Sequence, residues 1–165
     1  MNIVEFILTH RAWKSHCLRV NICTPDQVEQ YKKIKIAHIE SNALGKSEHL
    51  LRHAIKNIAP EWFGDDTRVC LNRNVKCERH RDGNVGLSWI LWLGDFTGGA
   101  LCFENGSRIE EKYKWHHING QIPHWNEPHV GTKYAIIIYM SPGTTKSSRI
   151  TSSSRNRKTT EADVI

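Results

Sequence analysis

From residue 68 to residue 140 the chain is a succession of short apolar runs broken by turn residues. The runs lie at 69–71, 75–77, 87–93, 100–103, 113–118 and 134–140. Between them stand Asp82-Gly83, Gly98-Gly99, Asn105-Gly106, Asn119-Gly120 and Gly131. Asn-Gly is a strong hairpin signal, because both residues tolerate positive φ. Many short strands at close spacing predict a β-sandwich or barrel. Residues 134–139 are apolar at every position, which predicts a central strand covered on both faces.

Upstream the pattern changes. Residues 3–8 and 18–22 read as short strand-like runs. Thr24-Pro25-Asp26-Gln27 predicts a helix start: Thr24 caps, Pro25 takes the first helical position and Gln27 closes a capping box. Val28, Tyr31, Ile34, Ile36, Ala37 and Ile39 carry the apolar face of that helix towards 41–45. A second helix is expected over 47–58, with Leu50, Leu51, Ala54 and Ile58 at helical spacing. Pro60 ends it. These helices, spanning 24–60, are the expected cover for one face of the sheet, giving an α+β fold.

The chain has 165 residues, enough for one domain with one core. That domain is expected over 1–143, with its core at 68–140. From about residue 144 the chain is rich in Ser, Thr, Arg and Lys, and 144–165 reads as a flexible tail. No apolar run approaches the roughly 20 residues of a membrane helix, and Met1-Asn2-Ile3-Val4-Glu5 lacks the basic start of a secretory signal. The five cysteines form no C-x-x-C pair, and their odd number argues against a disulfide framework. An intracellular protein, cytoplasmic or nuclear, with buried reduced thiols is the expectation. The net charge of +6 suits an anionic partner, but the tail holds five basic residues against Glu161 and Asp163, so charge alone says little.

His80-Arg81-Asp82 starts the chemistry. Residues separated by one lie on the same side of an extended chain. An imidazole and a carboxylate can therefore face one point, and a second histidine would complete a 2-His-1-carboxylate metal triad with open positions. On its own, His-x-Asp is common by chance. The third ligand must come from a later strand, where His116, His117, His124 and His129 are available. His116 and His117 are adjacent and point to opposite faces.

Two longer stretches add to this. Residues 119–134 run Asn-Gly-Gln-Ile-Pro-His-Trp-Asn-Glu-Pro-His-Val-Gly-Thr-Lys-Tyr, and Gly94–Leu101 reads Gly-Asp-Phe-Thr-Gly-Gly-Ala-Leu. Together with His80-Arg81-Asp82 they resemble the Fe(II)/2-oxoglutarate-dependent oxygenase family. In that family a Pro-His is followed some nine residues on by a basic residue at the start of the last core strand. Here the step from His124 to Lys133 is nine residues. The resemblance implies a double-stranded β-helix (jelly-roll or cupin-like) core with the N-terminal helices packed on one sheet. It implies His80, Asp82 and His124 as Fe(II) ligands and catalytic centre, with His129 the runner-up. It also implies 2-oxoglutarate and O2 as co-substrates, with ascorbate a reductant. Lys133 would then pair with the distal carboxylate of 2-oxoglutarate as a point charge. Arg is commoner there, and Ala135 stands where relatives carry Ser or Thr, so Asn72 and Ser88 are the further polar groups expected to hold the co-substrate. Trp92, Trp115 and Trp125 are available to wall a dry pocket.

Asn72, Asn74, His80, Asp82, Asn84, Gly86 and Ser88 together resemble the branch that hydroxylates thymine or 5-methylcytosine methyl groups. That implies DNA or RNA as substrate, with Arg73, Lys76, Arg79 and Arg81 placed to hold phosphate and the base flipped out of the duplex. Protein hydroxylation, on prolyl or other side chains, and a non-catalytic barrel that binds a partner are the alternatives.

Overall fold

The structure, a computed structural model, describes residues 2–9, 19–27, 46–60 and 63–141. In chain order the elements are α1 (Ile3–Thr9), β1 (Arg19–Asn21), α2 (Lys46–Ile58), β2 (Arg68–Arg73), β3 (Val85–Leu93), β4 (Phe96–Gly98), β5 (Leu101–Phe103), β6 (Arg108–Ile109), β7 (Trp115–Ile118), β8 (His124–Asn126), β9 (His129–Gly131) and β10 (Tyr134–Met140). The remainder of the helix expected after Thr24, and the tail expected at 144–165, lie outside the described residues.

The architecture is antiparallel β with few helices, compatible with a β-sandwich. One sheet has five strands in the order β1-β2-β10-β3-β7. A three-stranded sheet (β6-β5-β8) and a two-stranded ribbon (β4-β9) complete the β-structure. The chain passes from the large sheet to the smaller ones and back more than once: β3 and β7 lie in the large sheet, β5 and β8 in the small one, and β10 returns to the centre.

Strand alternation divides the apolar residues between two cores. Val69, Leu71, Leu91, Leu93, Ile136 and Ile138 point to one face and pack with Ile7, Leu51, Ala54 and Ile55 of the helices. Ile90, Trp92 and Ala135 point to the other and pack with Phe96, Leu101, Phe103 and Ile118. The central strand β10 is thus covered on both faces, as its unbroken apolar run predicts. Each fully buried aliphatic side chain contributes roughly 1.5–3 kcal/mol, so the helices are integral to the core. Arg52 of α2 adds a polar tie. Its guanidinium donates to the carbonyls of Ile22, Gly64, Asp65 and Thr67, pinning β1 and the 63–67 loop to the helix.

Several expectations need correction. Residues 3–8 are helical. Asn2 caps them, its Oδ1 accepting from the Glu5 amide at 2.8 Å, and Ile7 is then fully buried. A short apolar run fits either period, and the cap decides. The apolar face of α2 is Leu51, Ala54, Ile55 and Ile58; Leu50 stands 59% exposed. Residues 75–77 form no strand, because Asn74 adopts a left-handed φ of 54° and breaks β2. Asn119-Gly120 turns the chain, but β7 and β8 go to different sheets and form no hairpin. Asn105-Gly106 does close one, between β5 and β6. The capping box at Thr24 is formed: Thr24 Oγ1 accepts from the Gln27 amide and Gln27 Oε1 from the Thr24 amide, both at 3.3 Å.

Candidate metal centre

His80 and His124 are cross-strand partners. Each backbone amide donates to the other residue's carbonyl, at 3.0 and 2.9 Å, so the two rings rise side by side with centroids 4.4 Å apart. Asp82 follows two residues later on the same side. Its Oδ1 lies 3.4 Å from His80 Nε2 and its Oδ2 3.8 Å from His124 Nε2. One ligand atom from each of the three residues falls within 4.8 Å of the others. The His124 side chain is 5% exposed, Asp82 28% and His80 39%, so His124 forms the floor and the site opens past the other two.

The histidine tautomers are set by the backbone. His80 Nδ1 faces the Glu78 carbonyl at 2.7 Å, and His124 Nδ1 faces the Ile122 carbonyl at 2.7 Å. A carbonyl only accepts, so both Nδ1 atoms carry the proton and both Nε2 atoms present lone pairs to the shared point. Metal-binding histidines are oriented this way. Two imidazoles and one carboxylate suit a divalent transition metal with positions left open, and the residues fit such an ion. Asp82 is itself confined. Its amide donates to the Gly120 carbonyl at 2.7 Å, and a Cβ on Gly120 would lie 2.3 Å from Asp82 Oδ2. Only glycine leaves room for the carboxylate there.

The triad opens into a pocket whose walls include Arg19, Asn72, Cys77, Trp92, Asn126 and Lys133. Lys133 is 4% exposed. Its ammonium donates to the Gly99 carbonyl and lies 5.2 Å from the Trp92 ring centroid and 5.5 Å from that of Phe96. Burial pulls its pKa down to about 8. Among the described residues lining this pocket the acidic side chain is Asp82, and Lys133 and Arg19 are the basic ones. Gly99 stands at φ +73°, where a side chain is strained, and a Cβ there would lie 2.9 Å from His129 Cβ and 3.0 Å from Lys133 Nζ.

The other expected residues divide. Asn72 is buried and lines the pocket, its Oδ1 accepting from Arg19 Nε at 3.0 Å. Ser88 is fully buried and does not line the pocket. It accepts from Asn84 Nδ2 at 3.2 Å, which ties it to the residue that donates to Asp82. His129 stands apart from the cluster and meets Asn74 Oδ1 at 3.3 Å; burial and nearby Lys133 hold its pKa below the usual value. His116 and His117 point to opposite faces, against Trp92 and Trp89. Trp92 walls the pocket, whereas Trp115 packs towards the helices and donates to the Ile58 carbonyl at 2.6 Å. Trp125 lies outside, under the Arg79 guanidinium at 5.7 Å. Arg19 went unnoticed in the sequence. It precedes Asn72 by 53 residues, and only the β1–β2 register places the two together.

No family model and no curated protein matches the chain. Among solved structures it is similar to protein NMB1881 from Neisseria meningitidis, with 12% identity, TM-score 0.39 and coverage of 55% of this chain and 95% of that one. It is also similar to Fe(II) HppE in complex with substrate (12%, TM-score 0.35, 84% and 98% covered). Co(II) HppE in complex with Tris buffer gives 11%, TM-score 0.33, and 84% and 97% covered.

Proposed function

We propose that this chain is an Fe(II)- and 2-oxoglutarate-dependent dioxygenase with a double-stranded β-helix core, hydroxylating a C–H bond on a nucleic-acid base. The observation that carries this reading is the placement of one buried ammonium, Lys133, in the pocket onto which two histidine Nε2 atoms and one carboxylate converge. The passage of successive strands between the large and small sheets supports the fold.

Bound Fe(II) would supply open positions for the keto acid and O2, coupling C–H hydroxylation to decarboxylation of 2-oxoglutarate to succinate and CO2. The residues do the rest. His80, Asp82 and His124 hold the ion. Lys133 pairs with the distal carboxylate, at a site where low dielectric strengthens the charge contact. Trp92 excludes water, and Arg19 and Asn72 offer donors on the opposite wall. The choice of a nucleic-acid substrate rests on the 72–88 motif. A groove lined by Lys76, Glu78, Arg79, Trp125 and Glu127 adjoins the pocket through the shared residues Cys77 and Asn126, and Arg79 is paired with Glu104. Lys76 and Trp125 suit a phosphate beside a planar base, whereas Glu78 and Glu127 oppose an anion.

The test incubates the protein with Fe(II), ascorbate, 2-oxoglutarate and, separately, DNA, RNA and a peptide mixture. Succinate is measured, with mass spectrometry of nucleosides and peptides. Succinate coupled to an oxidised nucleoside is expected. An oxidised peptide instead would move the substrate to protein. His80→Ala and His124→Ala should abolish Fe(II) binding and His129→Ala should preserve it; loss in His129→Ala with binding kept in His124→Ala would mean that His129, not His124, completes the triad.

A further inference from the structure

Behind the triad lies a polar chain that the ligand set does not use. Asn84 Nδ2 donates to Asp82 Oδ2 at 3.4 Å and to Ser88 Oγ at 3.2 Å. The Asn84 carbonyl accepts from Gln121 Nε2 at 3.2 Å. Ser88 sits on β3 with no exposed surface, paired in register with Ile118 of β7. Asn84 therefore bridges a rigid sheet position to the carboxylate. Gly120 closes the other side of the same oxygen, leaving 2.3 Å to a notional Cβ. Oδ2 thus accepts from Asn84 and lies 3.8 Å from His124 Nε2, while Oδ1 lies 3.4 Å from His80 Nε2.

From this geometry, and resting on the metal-binding reading above, we infer that Asn84 is a positioning residue. Held by Ser88, it fixes the rotation of the Asp82 carboxylate through Oδ2, so that the carboxylate meets the metal in one orientation and the remaining positions stay open. A carboxylate free to turn can chelate through both oxygens and occupy a position that a co-substrate needs. Groups that orient metal ligands from behind typically cost about 10- to 100-fold in metal affinity when removed.

The test uses Co(II) as a spectroscopic probe, with the full chain as wild type, Asn84→Ala, Ser88→Ala and the double variant. Asn84→Ala is expected to weaken Co(II) binding by about 10- to 100-fold. It should also change the intensity of the visible absorption at saturation, because the coordination number changes. Ser88→Ala should shift both in the same direction by less, and the double variant should match Asn84→Ala alone. The metal-free melting temperature of Asn84→Ala should stay at the wild-type value, which separates positioning from folding. Wild-type affinity and spectrum in Asn84→Ala would overturn the inference while leaving the metal site standing. So would strictly additive losses in the double variant. A wild-type protein that takes up no Co(II) would overturn both the inference and the reading it rests on.

Discussion

Lys133 is the residue on which the co-substrate reading turns, and its ionisation makes that reading measurable. Burial lowers its pKa from 10.5 to about 8. Between those values the unfolded chain binds more protons than the folded one. The free protein should therefore gain stability as pH rises from about 8 to 10.5, the range set by the cited shift. Below about 8 both states are charged and the buried ammonium carries its full desolvation cost. A dicarboxylate needs that ammonium charged. Its affinity should be flat below pH 8 and fall about tenfold per unit above it, as titration calorimetry across pH 7–9.5 would show. An affinity unchanged through that range would remove Lys133 from the binding site. At this scale the sequence was informative where spacing is short. His80 and Asp82 sit two apart, so alternation alone puts them on one side. Ser88 is buried outside the pocket lining, and its partner Asn84 is set by packing that strand alternation does not specify.

At the scale of elements, one glycine-bearing turn and one helix separate site from scaffold. The 119–120 turn presses on Asp82, so Gly120→Ala should cost metal affinity at nearly unchanged stability. Ile55→Ala in α2 removes a fully buried side chain far from the ligands and should destabilise the protein by about 2–5 kcal/mol. Metal affinity of the folded fraction should not change. Chemical denaturation and equilibrium dialysis on both variants would check the contrast, and equal effects on both readouts would contradict it. The strong elements were legible: α2 ends before Pro60, and β10 is apolar at every central position. Residues 3–8 were not, since six apolar-rich residues satisfy either period until Asn2 supplies a cap. The break at Asn74 was equally hidden. Its side chain accepts from the Lys133 amide at 2.8 Å, a contact 59 residues away that no local pattern contains.

For the molecule as a whole, the metal would join segments that the chain keeps apart. His80 enters from the 74–84 segment and His124 from β8, and their mutual backbone bonds are the join. A metal that binds only this folded arrangement should stabilise it by about 2.7 kcal/mol at 100 times its dissociation constant. Melting temperature should rise on adding Co(II) or Fe(II) and return with chelator. No helix among the described residues is long and apolar enough to cross a membrane. Burial pushes the Cys23 and Cys70 thiols up to about 11 and 12, which leaves them unreactive. The order of strands across the sheets was not readable from periodicity, because which strands pair depends on contacts far apart in sequence. The link between triad and lysine was readable only as a spacing.

That link is the central claim, and one binding measurement tests it without a known substrate. 2-Oxoglutarate is titrated anaerobically into protein loaded with Fe(II), into metal-free protein, and into Fe(II)-loaded Lys133→Met. Binding is expected only with metal present, and weaker in Lys133→Met by about 2–5 kcal/mol. Fe(II)-loaded wild-type protein that fails to bind 2-oxoglutarate, or binds it equally well without Lys133, would contradict the account.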